Sequence, residues 1–377
     1  MKSLYNTQSQ APRAFLIGIK ENNSEYEALA AEIRGLADTL ELNIVGTEFV
    51  SVRDAKSRFG MGSGKASELS EKALAAEAQC ILFDTELSPS QQRNWEELCN
   101  LSVIDRQELI IRIFASRAKT REAELQAELA ELLYALPRLS HKYIDLSRQR
   151  GGRYGTRGAG ETRLETDKRQ IRQKIGFLRK EIEDVRKNRM IQRKQRKKQG
   201  IPVCALAGYT NAGKSSLHRA LTGSEVLVED KLFATLDPTA RKVYRSNPEG
   251  KGKNIVFVDT VGFIRRLPHN LVDAFRATLE ELAQAELLIH VLDASDPLWK
   301  DHTRTVHELI EELEAGDIPV ITVLNKADLL TEDQLSALQS SFKREIPAFS
   351  AGVTAVSAKN RQGLENLWKL IEKSLKF

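Results

Sequence analysis

The stretch Gly208-Tyr209-Thr210-Asn211-Ala212-Gly213-Lys214-Ser215 fits the pattern GxxxxGK[ST] without a gap. An apolar run, 203–207, precedes it and reads as a buried strand. Ser216 opens a stretch, 216–221, that reads as the start of a helix. Strand, loop and helix in that order are the context a phosphate-binding loop requires. Its glycines let the backbone curl so that successive N–H groups aim at phosphate oxygens. The helix N-terminus adds partial positive charge. Lys214 is placed to reach the β- and γ-phosphates, and the Ser215 hydroxyl to ligate Mg²⁺. The loop names a nucleotide, but not its base.

The base is read further on. Asn325-Lys326-Ala327-Asp328 fits NKxD and follows another apolar run, 319–324. A carboxylate at Asp328 can accept hydrogen bonds from N1–H and the exocyclic amine of guanine. Adenine offers neither donor there and would leave the carboxylate desolvated and unpaired, a strongly discriminating mismatch. Ser357-Ala358-Lys359, after the short apolar run 353–356, has the form of a loop that closes over a guanine. Between these lies Asp259-Thr260-Val261-Gly262, after the run 254–258. A carboxylate at the end of a buried strand suits support of Mg²⁺ from behind its direct ligands. Gly262 lets the backbone approach the γ-phosphate and offer its N–H. Taken in order with Phe233-Ala234-Thr235-Leu236-Asp237, these motifs resemble a translation-factor-type GTPase domain. The resemblance makes Thr235 the switch threonine that contacts Mg²⁺ and the γ-phosphate, with Thr239 a nearby competitor. Lys214, Thr235 and Gly262 are thus the expected catalytic set.

Around this site the chain reads in three parts: an α/β domain over 1–106, a helical hairpin over 107–199 and a Ras-like GTPase domain over 200–377. In the first, strands are expected at 15–19, 42–50, 81–84 and 102–104, and helices at 25–40, 65–76 and 88–98. Alternation of this kind implies a mostly parallel sheet. Its Gly60-Met61-Gly62-Ser63-Gly64-Lys65 has the look of a phosphate loop, but Phe59 stands where the first glycine belongs and Ala66 where the hydroxyl belongs. A second nucleotide site is therefore not expected there. In the GTPase part, strands are expected at 203–208, 241–246, 254–259, 287–293, 318–324 and 353–357.

The middle part carries apolar residues at Ile110, Ile113, Leu125, Leu129, Leu132, Leu136 and Leu139, and again at Leu164, Ile171, Ile175, Leu178, Ile182 and Val185. Steps of three, four and seven make the stripe of an antiparallel helix pair. Pro137 is expected to kink or break the first arm. The joining segment, 150–160, is glycine-rich and carries Arg150, Arg153, Tyr154 and Arg157, with Arg163 just beyond. Arginines grip phosphates in a fork and a tyrosine stacks on a base, which suits an RNA-probing tip.

The chain has a net charge of +5. Residues 148–199 hold nineteen Lys/Arg against six Asp/Glu, a local +13 that leaves −8 for the rest. So one-sided a segment on an otherwise acidic chain points to a polyanion, most simply RNA. No run of 18 apolar residues exists to span a membrane, and the first residues lack a signal-peptide apolar segment. The three cysteines, Cys80, Cys99 and Cys204, have no metal-type spacing and read as reduced thiols of a cytoplasmic protein.

The tip continued by Glu161-Thr162-Arg163-Leu164-Glu165 and Asp167-Lys168-Arg169 resembles the glycine-rich linker of the HflX family of ribosome-associated GTPases. So do Phe83-Asp84 with Glu86-Leu87-Ser88-Pro89 and Gln92-Arg93-Asn94, and the GTPase motifs above. The resemblance covers nearly the whole chain, from about Ala14 to Phe377. It implies GTP and GDP as ligands with Mg²⁺. It also implies binding to the large ribosomal subunit and the intact 70S-type ribosome, and a hairpin that enters near the peptidyl-transferase region. Splitting of stalled ribosomes under stress is a further implication. A monomer, partly ribosome-associated, is expected. Other readings of the residues are a GTPase of ribosome assembly or RNA modification, and an RNA-binding scaffold that holds nucleotide structurally. Phe263 follows Gly262 where many GTPases place a water-orienting glutamine, so slow hydrolysis without a partner is expected. Asn211 suits either a K⁺ ion beside the phosphates or simply the turn of the loop.

Overall fold

Strands of three to nine residues build two sheets in the computed structural model. It describes residues 11–20, 26–52, 54–149, 157–223, 232–233, 238–246, 252–265, 282–345 and 350–376. The chain divides into two units, residues 1–116 with 131–176, and residues 117–130 with 177–377.

In the first unit, β1 (Arg13–Lys20), α1 (Tyr26–Thr39), β2 (Asn43–Ser51), α2 (Ser63–Ala75), β3 (Cys80–Phe83), α3 (Pro89–Cys99) and β4 (Ser102–Ile104) alternate as expected. The strands are all parallel, in the order β2-β1-β3-β4. α3 is punctuated by its own sequence. The Ser88 hydroxyl accepts the Gln91 N–H, and the Gln91 side chain accepts the Ser88 N–H, a reciprocal capping box with Pro89 in the first turn. Asn100, left-handed at φ 53°, ends the helix. Trp95 on α3 is fully buried, edge-on to Phe59 and Phe83, and its indole N–H donates to the Phe59 carbonyl. Gln91 donates to the carbonyls of Ala55 and Ser57. The approach to Gly60 is thereby tied to α3, and Lys65 pairs with Glu68.

After α4 (Arg106–Arg117) come the long helices α5 (Arg121–Gln149) and α6 (Arg157–Lys198). Of the kink or break expected at Pro137, no break occurs: α5 runs through it. Proline lacks the N–H that would bond one turn back and crowds the preceding carbonyls. The next residue, Arg138, donates from its guanidinium to the Tyr134 carbonyl at 3.2 Å. Its other bonds keep this turn of α5 in place. The guanidinium lies over the Tyr134 ring at 3.5 Å and donates to Asp105, Gln92 and the Leu87 carbonyl. Asp105 is fully buried and also caps α4 by accepting the Glu108 N–H. Burial pushes its carboxyl above the ordinary value, while the Glu108 and Leu87 N–H groups and Arg138 pull it back.

In the second unit, Leu125, Leu129 and Leu178 of the predicted stripe are buried, and ion pairs join Arg121 to Glu181 and Arg189 to Glu122. Its sheet contains β5 (Val203–Ala207), β6 (Thr239–Ser246), β7 (Gly252–Asp259), β8 (Leu287–Asp293), β9 (Val320–Asn325) and β10 (Ser350–Ala355). The order is β10-β9-β8-β5-β7-β6, parallel except for the edge strand β6. Helices α7 (Lys214–Thr222), α8 (Trp299–Glu312) and α9 (Glu332–Glu345) lie between strands, and α10 (Leu364–Ser374) follows β10. Alternate residues feed opposite cores. Cys204, Leu206, Ile289 and Val291 join Leu217, Trp368 and Ile371 on one face, whereas Ala205, Ala207 and Leu288 join Val306 and Ile310 on the other. A parallel sheet covered on both faces reads as unbroken apolar runs, which is why these strands are legible. Among the described residues no helix is long and apolar enough to cross a membrane.

Replacing Arg138 with methionine should leave the Asp105 carboxylate buried without its cation, at a cost of about 3 kcal/mol. Hydrogen exchange in α3 and β4 should accelerate accordingly, while β8 and β9 exchange as before. Unchanged exchange in α3 and β4 would show that the Arg138 bonds carry no stability.

Candidate nucleotide site

The loops that follow β5, β7, β9 and β10 all leave the same C-terminal edge of the sheet, where open α/β folds bind ligands. The phosphate loop lies between β5 and α7. Gly213 has φ +87°, and a Cβ there would stand 2.2 Å from Asn325 Nδ2, so only glycine fits. A Cβ on Gly208 would meet the Val291 carbonyl of β8, also at 2.2 Å. Asn211 adopts a left-handed φ of 60° and is exposed. The Lys214 side chain curls back over the loop and donates to the carbonyls of Gly208 and Tyr209 at 3.1 and 2.8 Å. Burial pushes its ammonium down to about 8, opposed by the Asp259 carboxylate.

Ser215, in the first turn of α7, donates its hydroxyl to Asp259 Oδ2 at 2.7 Å. A hydroxyl and a carboxylate side by side at the edge of a phosphate loop are the hard oxygen ligands that suit Mg²⁺. Ser216 follows on the same turn, half-buried. The Thr210 hydroxyl is buried with no hydrogen-bond partner. Its Cα and Cγ2 lie 2.9 Å from where a Cβ on Gly262 would stand, and Lys214 Nζ lies 3.0 Å from that same point. Thr210, Lys214 and Gly262 therefore converge, and any side chain at 262 would fill the space between them.

The segment after β7 is stitched to the loop. Thr210 donates its N–H to the Phe263 carbonyl at 2.7 Å, and Phe263 donates to the Gly208 carbonyl at 3.0 Å. Phe263 is buried, so beyond lacking a glutamine's polarity it anchors this segment in the apolar core. Thr260 turns inward and donates to the Leu206 carbonyl at 2.6 Å, while Val261 and Ala212 are buried; these three could meet a phosphate only through their backbone.

On the base side, the Asn325 amide joins two loops. Its nitrogen donates to the Ala212 carbonyl at 2.8 Å, and its oxygen accepts the Ala358 N–H at 3.1 Å. Lys326 is left-handed and pairs with Asp293 at 2.7 Å. Asp328, on a 3₁₀ turn (Ala327–Leu329), is exposed, free to take donors from a ligand. The Ser357 hydroxyl accepts the Asn360 N–H, which shapes the loop that carries Ala358 and the exposed Lys359.

The structure thus gathers Gly208 to Ser216, Asp259 to Gly262, Asn325 to Asp328 and Ser357 to Lys359 along one sheet edge. Phe233 is buried and left-handed in a turn. Ala234, Thr235, Leu236 and Asp237 lie outside the described residues, as do Arg150, Arg153 and Tyr154. Arg157 and Arg163 fall on α6, where only the backbone is described. Sequence reading missed Asp293, the partner of Lys326. It also missed His302, whose ring stacks on Tyr209 with centroids 3.7 Å apart. Neither stands in a recognisable motif.

A six-stranded sheet carrying a phosphate loop, a DxxG segment and an NKxD turn on one edge defines a P-loop GTPase. Profiles described as GTP-binding GTPase N-terminal, GTP-binding GTPase Middle Region and 50S ribosome-binding GTPase match residues 27–115, 117–196 and 203–326. GTPase HflX of Akkermansia muciniphila is 45% identical over 361 residues, which cover 93% of this chain and 81% of that protein. GTPase HflX of Alkalihalophilus pseudofirmus is 44% identical over 371 residues, 98% of this chain and 84% of its own. The chain belongs to the HflX family of GTPases. Among solved structures, the complex of SsGBP with GDP superposes with a TM-score of 0.52 at 25% identity, over 97% of this chain and 98% of that one.

Replacing Asp328 with asparagine exchanges one acceptor for a donor. The affinity for GDP should fall by roughly 100-fold or more while xanthosine diphosphate binds better, as read by competition against a fluorescent nucleotide. Equal loss of both nucleotides would remove the base-reading role.

Proposed function

We propose that this chain is a GTP-dependent ribosome-splitting factor whose basic hairpin grips ribosomal RNA. The observation that carries the reading is the +13 of residues 148–199 immediately ahead of a GTPase site in a chain that is otherwise −8. The match of residues 203–326 to a profile described as 50S ribosome-binding GTPase supports the large subunit as the partner. The protein acts as a monomer in the cytoplasm, on 70S-type ribosomes stalled under stress. Residues 107–199 are the RNA-binding part, and residues 1–106 and 200–377 flank it.

Within the site, Lys214 holds the β- and γ-phosphates, the Gly262 N–H meets the γ-phosphate, and Asp328 reads guanine beneath a lid from Ser357 to Lys359. Ser215 and Thr235 would hold Mg²⁺, with Asp259 behind Ser215. Bound there, the ion would neutralise charge on the phosphate oxygens. Asn211, exposed on the loop and left-handed, would offer a monovalent cation its amide oxygen. Phe263 cannot orient the attacking water, so hydrolysis waits on a partner that orders the switch segments; free turnover is expected on the order of 10⁻⁴ to 10⁻² per second.

Cosedimentation with ribosomes decides the partner. Binding should be strong with a nonhydrolysable GTP analogue, weak with GDP, and turnover should rise when ribosomes are added. Neutralising Arg153 and Arg157 together should weaken ribosome binding and reduce the salt slope by about 1.5, if each arginine pairs with one phosphate. GTP affinity should hold; its loss alongside ribosome binding would overturn the tip assignment. Hydrolysis measured in KCl and in NaCl at equal ionic strength should be faster in KCl, and equal rates would remove the cation at Asn211.

A further inference from the structure

Tyr209 is the second residue of the phosphate loop, yet its side chain does not face the loop's hollow. Its ring lies flat on the imidazole of His302 from α8, centroids 3.7 Å apart and planes 11° apart. Its hydroxyl accepts the backbone N–H of Arg265 at 2.8 Å. Its neighbours in the chain, Gly208 and Thr210, make the two backbone bonds to Phe263. One residue thus touches the segment after Asp259 both through its own hydroxyl and through the backbone on either side of it.

His302 is itself held. It is 7% exposed, and its Nδ1 stands 3.2 Å from Asp296 Oδ2. Asp296 is fixed in turn, because its other oxygen accepts the Leu298 N–H at 2.8 Å. Although burial opposes the charge, the His302 bond, the Leu298 N–H and the field of Lys326 hold the Asp296 carboxyl below its ordinary range. A planar stack with one ring edge anchored by a hydrogen bond to a carboxylate has little freedom to slide.

We infer that His302 and Asp296 are positioning residues for GTP hydrolysis: they set the Tyr209 ring, and through its hydroxyl the backbone from Gly262 to Arg265, against the phosphate loop. The inference rests on the GTPase activity of the family and on the assignment of the Gly262 N–H to the γ-phosphate, and it does not depend on the ribosome. A shift of about 1 Å in a group that meets the reacting phosphate costs up to roughly 100-fold in rate. The same shift leaves the contacts to the guanine and the α- and β-phosphates nearly intact. His302 therefore acts on the rate more than on the affinity.

The test uses the full-length protein without ribosomes and compares single-turnover hydrolysis with GDP affinity. His302→Ala should hydrolyse GTP at least ~10-fold more slowly while its GDP affinity stays within about 2-fold. His302→Phe keeps a flat ring on Tyr209 but loses the bond to Asp296, and should recover part of the lost rate. A wild-type rate in His302→Ala would overturn the inference. So would a parallel loss of rate and GDP affinity, which marks a distorted loop. A His302→Phe protein as slow as His302→Ala would equally sink it, because the stack would then not be what positions the segment.

Discussion

The amide of Asn325 is the joint on which the nucleotide site depends. It is 2% exposed, and it satisfies both of its polar ends with backbone groups from two different loops. A buried amide left half-paired costs about 1–3 kcal/mol, so the Ala212 carbonyl and the Ala358 N–H are drawn to it together. Gly213 is the counterpart of that bond. The loop backbone comes so close to Asn325 that a Cβ would collide with the amide nitrogen. The phosphate end and the base end of the site are therefore spaced by one side chain at the C-terminus of β9.

A second layer of the same logic fixes the chemistry. Lys214 is buried among carbonyls, close to Asp259, and Asp259 in turn holds the Ser215 hydroxyl. Charged groups buried this way are costly unless paired, and they point at the place where a polyphosphate and its cation would complete the pairing. Phe263 does the opposite work. Buried apolar bulk, bonded on either side to the phosphate loop, turns the residue after Gly262 into an anchor rather than an acid or base.

The first unit applies the device to architecture. Arg138 gathers Asp105, Gln92 and the Leu87 carbonyl beside Tyr134. Two helices and two connecting segments are thereby tied by one guanidinium, in the way the Asn325 amide ties the loops of the second unit. In both places a single polar side chain with fixed geometry does what apolar packing cannot, which is to select one register among many of similar buried area.

By itself, the sequence determined the strands, their order of alternation with helices, the phosphate loop, and the NKxD turn. These are legible because each rests on local rules: unbroken apolar runs for doubly covered strands, glycine where the backbone turns, and fixed spacing around a ligand of fixed size. Only the tertiary structure decided that α5 continues through Pro137, in a turn where the Arg138 guanidinium is held by partners far away in the chain. It likewise decided that Thr260 points into the sheet, that Lys326 finds Asp293, and that Tyr209 stacks on His302. Those contacts join residues 33 to 93 positions apart in the case of Lys326 and Tyr209. No local pattern encodes such a pairing, since it exists only once parallel strands have brought their C-terminal loops to one edge.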